Sequence, residues 1–82
     1  MVNSEVILKS FNGEVVAPED CDPNENYWLL IGKKGKIIKD KNSRSRVLVK
    51  FYEPVSELGL CCHNEVPNSL LILLSDVEII SE

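Results

Sequence analysis

Eight of this chain's nine basic residues fall between Lys33 and Lys50, and a cluster of ammonium and guanidinium groups does one kind of chemistry: it pairs with anions. Asp40 is the only acid in that stretch, which gives it a formal charge of +7. The rest of the chain, with twelve acids and Lys9 alone, carries −11. Segregation of this kind marks a face. The overall charge of −4 argues against a protein that holds nucleic acid over its whole surface, yet a local basic patch sets its own field. Lys34, Lys36, Arg46 and Lys50 are the candidate anion contacts. The apolar pair Ile38 and Leu48 is expected at their centre, since a binding patch is often an apolar centre with a charged rim.

Other residue types capable of chemistry are sparse. Cys21, Cys61, Cys62 and His63 could supply four zinc ligands, but structural zinc sites space their cysteines two to four residues apart so that both reach one ion. Adjacent residues on an extended chain point to opposite faces, so Cys62 could not easily join Cys61 and His63. No metal is expected, and the cysteines read as small apolar fillers. His63 is the sole histidine, and neither a Gly-x-Ser-x-Gly elbow nor a Walker phosphate loop occurs. No catalytic residue, no enzymatic activity and no cofactor are therefore expected. Glu19, Asp20, Asp22 and Glu25 share one segment without the regular ligand ladder of a calcium loop, and read as a solvated acidic face.

These groups need a scaffold, and 82 residues provide one domain, spanning 1–82. Apolar residues at 44% and charged residues at 27% describe a soluble globular chain. The start lacks the basic region and long apolar run of a secretory signal. The longest apolar run, Leu70 to Leu74, falls far short of the ~20 residues of a membrane helix, so no membrane association is expected. Three cysteines, two of them adjacent, make no disulfide framework, which fits a reducing cytoplasm. A monomer is expected.

Helical periodicity is nearly absent, while β-branched and aromatic residues cluster in short runs between turn formers. Strands are predicted at about 4–9, 27–31, 34–39, 45–52, 69–74 and 77–80. Asn12 to Asn26 and Glu53 to Asn68 read as long loops. Ser75-Asp76 suits a single 3₁₀ turn capped by a side-chain oxygen before the last strand. Five to six short strands, a long first loop, a central hairpin and that turn together predict an all-β fold, a small SH3-like barrel. Alternation sends Val47, Val49 and Phe51 inward with Leu71, Val77 and Val6 or Leu8, and Arg46, Leu48 and Lys50 outward. A turn centred on Ser43 would set Ile38 opposite Leu48 and Lys36 opposite Lys50. Of Tyr27 and Trp28, one ring should point inward and the other outward, where it could share a recognition surface with Tyr52.

Gly32-Lys33-Lys34-Gly35-Lys36-Ile37-Ile38, with two glycines three apart and then paired β-branched residues, resembles the KOW-type SH3-like barrels of ribosomal proteins and transcription elongation factors. Glu25-Asn26-Tyr27-Trp28, Gly35-Lys36-Ile37 and Val47-Leu48-Val49-Lys50-Phe51 are also similar to the small peripheral SH3-like subunit of photosystem I. The resemblance covers roughly 25–80. It implies an SH3-like barrel with a basic docking face, as that subunit docks ferredoxin through basic residues near its barrel.

Three functions compete on this reading. The leading expectation is a non-enzymatic interaction module that docks an acidic protein surface through Lys34, Lys36, Ile38, Arg46, Leu48, Lys50, Tyr52 and Trp28. The second is a KOW-type RNA- or DNA-binding module, with phosphate contacts from the hairpin and a base stacked on Tyr27, Trp28 or Tyr52. The third is a small acidic inhibitor or immunity-like protein that blocks a basic site with the loop Glu19 to Glu25. Against the two readings that use the hairpin stands the plainer possibility that the lysines only blunt an exposed hairpin edge.

Overall fold

The computed structural model describes residues 2–60 and 66–81. Its five strands are β1 (Glu5–Leu8), β2 (Lys34–Lys39), β3 (Arg46–Phe51), β4 (Ser69–Leu73) and β5 (Val77–Ser81). They hydrogen-bond as one open antiparallel sheet in the order β4-β3-β2-β1-β5, so the last strand returns to lie beside the first. The all-β expectation holds. Every helical element among the described residues is a 3₁₀ turn of three or four residues, and one of them, Leu74–Asp76, precedes the last strand as predicted.

The core follows the two-residue period of the strands. Val47, Val49 and Phe51 on β3 are buried, with Val6 and Leu8 on β1 and Val77 on β5. Burying each such side chain stabilises the fold by roughly 1.5–3 kcal/mol relative to leaving it exposed. Leu71 is a correction: it is 42% exposed, while its neighbours Leu70 and Ile72 are buried. Pairing decides the phase. Leu70 lies opposite Val49 and Ile72 opposite Val47, so these two share the core face, and Leu71 faces the other side opposite Leu48.

The predicted strand at 27–31 is a second correction. Tyr27–Leu30 forms a 3₁₀ turn, closed by Ile31 N–H donating to the Trp28 carbonyl at 3.2 Å. Gly32 follows at φ 90°, a conformation that suits glycine, and donates its N–H to the Leu8 carbonyl at 2.8 Å. Four consecutive large apolar residues leave no alternation for a half-buried strand. The turn buries Leu30 completely and swings the chain from the long first loop into β2.

That first loop is held by Asp76, from the turn at Ser75-Asp76 that is expected to be capped by a side-chain oxygen. Asp76, buried at 1% exposure, makes no side-chain cap on its own turn. Its carboxylate accepts from Ser10 Oγ at 2.6 Å, Asn12 N–H at 2.8 Å and Gly13 N–H at 3.0 Å. Asn12 and Gly13 both have positive φ, 52° and 81°, and Phe11 and Glu14 exchange two backbone hydrogen bonds around them. That is the Asn-Gly geometry of a tight type I′ turn. A carboxylate that accepts both N–H groups of the turn anchors the loop to the end of the sheet.

Candidate basic interface

The two strands that carry the lysines approach closely because of one glycine. A Cβ at Gly35 would sit 2.8 Å from the Lys50 carbonyl oxygen and 2.8 Å from Val49 Cγ1, so any side chain there would push β2 and β3 apart. With that approach Lys36 pairs directly opposite Lys50, as predicted. Beyond it the ladder shifts: a bulge between Ile37 and Lys39 sets Lys39, not Ile38, opposite Leu48. The turn that joins the strands is organised by Asn42, whose Oδ1 accepts from the N–H groups of Arg44 at 2.9 Å and Arg46 at 3.2 Å.

The candidate residues then separate into three groups. Lys34, Lys36 and Lys50 are exposed, and none of them forms an ion pair among the described residues. Tyr52, just past β3, is 57% exposed and joins them. Its ring borders a hollow of about 320 Å³ formed with Lys36, Ile38, Lys50 and Asn68, and a neighbouring one formed with Lys33, Lys34 and Glu53. Ile38, half-buried at the bulge, supplies an apolar wall of the first hollow. Identical charges directly opposite each other on a sheet are destabilising, and here they flank an exposed ring.

Arg46 and Lys33 are engaged within the protein. The Arg46 guanidinium donates through Nη2 to Asn12 Oδ1 at 2.9 Å and through Nη1 to the Leu71 carbonyl at 3.3 Å. Lys33 Nζ lies 3.0 Å from Glu53 Oε2. Exposed pairs of that type contribute about 0–1 kcal/mol, so the pair orients Lys33 more than it stabilises the fold.

Leu48 and Trp28 depart from expectation. Leu48 is only 4% exposed, although its strand phase points it away from the core that holds Val47 and Val49. It sits on a strand flanked on both sides, with Lys39 and Leu71 as its cross-strand neighbours. Side chains that close together cover one another, and Leu48 becomes a small second core on the outer face. It is therefore not an exposed apolar group between the lysines; the exposed ring beside them is that of Tyr52. Trp28 is half-buried and packs edge-on against Phe11, with ring centroids 5.0 Å apart and planes at 75°. It borders neither hollow around Tyr52. Tyr27 is also half-buried, so the pair does not divide into one inward and one outward ring.

Cys61, Cys62 and His63, weighed as zinc ligands, lie outside the described residues. Cys21 is a free thiol. Among the described residues no helix is long and apolar enough to cross a membrane.

What sequence reasoning missed was the Asp76 anchor, the Lys33–Glu53 pair and Phe11's place against the aromatics. Asn12-Gly13 was a readable signal for the turn itself. The acceptor for its N–H groups stands more than sixty residues away, beyond local pattern. No family model, no curated protein and no solved structure matches this chain.

Proposed function

We propose that this protein is a non-enzymatic interaction module that docks an acidic protein surface on the face carrying Lys34, Lys36, Lys50 and Tyr52. One observation carries the reading: three exposed lysines without ion-pair partners among the described residues stand around an exposed tyrosine and an apolar-walled hollow. An incoming carboxylate would relieve the repulsion between Lys36 and Lys50, and the Tyr52 ring would supply rigid contact area at low entropic cost. Phosphate contacts with a base stacked on Tyr52 are the second reading, favoured by the same exposed ring. The −11 carried by the rest of the chain weighs against it, because a long polyanion would also meet that repelling surface.

Affinity capture from the source lysate, with and without nuclease, separates these readings. The wild-type protein should retain an acidic protein after nuclease treatment, and a Lys34→Glu, Lys36→Glu, Lys50→Glu variant should lose it while keeping its melting temperature. Capture abolished by nuclease would transfer the assignment to nucleic acid. Capture unchanged in the charge-reversed variant would remove the basic face from the function.

A further inference from the structure

A second concavity of opposite character lies at the long first loop. It is a groove of about 440 Å³, walled by the rings of Phe11, Tyr27 and Trp28 and rimmed by Asp20, Asp22 and Glu25. Among the described residues no basic side chain lines it. The rings are not stacked flat: Phe11 meets Tyr27 at 45° with centroids 5.5 Å apart, and meets Trp28 edge-on. This tilted cluster makes a concave aromatic wall, and aromatic faces attract cations through their quadrupoles.

We propose that this groove binds the arginine side chain of a basic peptide segment. Guanidinium is the cation that uses both halves of such a site. It is planar and weakly hydrated, so it stacks on aromatic faces, and its fork of donors matches carboxylates in pairs. An ammonium group is a compact, strongly hydrated charge that would leave the aromatic wall poorly used. The three acidic residues line the same groove. The Cys21 thiol, set between Asp20 and Asp22, is raised above its ordinary pKa first by local desolvation and then by the charges of Asp22, Glu25 and Asp20. The groove is larger than one guanidinium group and leaves room for the flanking backbone. Two further features suit a peptide. The same loop exposes Val15 and Val16, at 68% and 74%, as apolar contacts beside the groove's own residues in sequence. Trp28 Nε1–H is buried without an acceptor among the described residues, an unmet donor on a residue that lines the groove.

The test uses the intrinsic fluorescence of Trp28, the chain's only tryptophan, and three synthetic peptides: (Arg-Ser)4, (Lys-Ser)4 and (Cit-Ser)4, where citrulline is the neutral isostere of arginine. Titration at physiological salt should give saturable change with the arginine peptide, and at least ten-fold weaker binding with both others. In an Asp20→Asn, Asp22→Asn, Glu25→Gln variant, whose exchanges are all at exposed positions and whose fold is checked by circular dichroism, affinity for (Arg-Ser)4 should fall at least ten-fold. A Lys34→Ala, Lys36→Ala, Lys50→Ala variant should bind it as the wild type does, which keeps this result separate from the basic face. Absence of saturable binding, or equal binding of the citrulline peptide, would overturn the proposal. Equal binding of the lysine peptide would overturn the assignment to guanidinium.

Discussion

The basic hairpin and the acidic loop carry opposite charge on opposite kinds of scaffold. Lysines 34, 36 and 50 project from a backbone ladder, Lys36 paired with Lys50 and Lys34 with Ile7, on the regular side of the bulge at Ile38. The acidic loop has no ladder beyond the Phe11–Glu14 bridge and is fastened by side chains: Asp76 at its start, and Tyr27 and Trp28 near its end packed against Phe11 at its start. The hairpin can therefore change its surface charges without changing its shape, whereas the loop's shape depends on a few buried groups. Specific substitutions should expose that asymmetry.

The largest effect is expected from Leu48→Asp. It places a carboxylate at a position that is 4% exposed, where Lys39 opposite it on β2 offsets only part of the burial cost, and should destabilise the fold by about 4 kcal/mol or more in denaturant titrations. If Leu48 were an open binding residue, stability would change by no more than about 0.5 kcal/mol. Next comes Asp76→Ala. Hydrogen bonds to charged groups are worth about 1.5–3 kcal/mol each but do not add, so a loss of roughly 2–4 kcal/mol is expected. Amide exchange should accelerate from Ser10 to Glu14 and leave β2 and β3 protected; uniform acceleration across the sheet would show that the anchor is not local to the loop. A smaller, paired contrast sharpens the strand phase: Val49→Ala should cost roughly 1–3 kcal/mol, and Leu71→Ala, at a 42% exposed site, less than about 1 kcal/mol. Equal losses would contradict the observed register.

The sequence was most readable where alternation and turn residues agreed. Val47, Val49 and Phe51 alternate with polar or larger outward residues, and their burial follows directly. Leu70 to Leu74 is uniformly apolar, so its phase was invisible until pairing with β3 fixed Leu70 and Ile72 inward. The 3₁₀ turn before β5 was legible from Ser75-Asp76, but the destination of the Asp76 carboxylate was a long-range contact. For the candidate interface, charge clustering identified the hairpin. It could not show that the bulge at Ile38 breaks the expected pairing, nor that Arg46 is tied to Asn12 and Leu71. Leu48's burial on the outer face depends on both neighbouring strands at once, which no single-strand pattern contains.

Amide shifts on titrating the captured partner into isotopically labelled protein test whether binding runs through the exposed lysines and Tyr52. The largest shifts should fall between Lys33 and Tyr52, centred on Lys36, Lys50 and Tyr52, and vanish in the Lys34→Glu, Lys36→Glu, Lys50→Glu variant. Shifts confined to Glu19 through Trp28, with the hairpin silent, would contradict it and place the partner on the acidic loop.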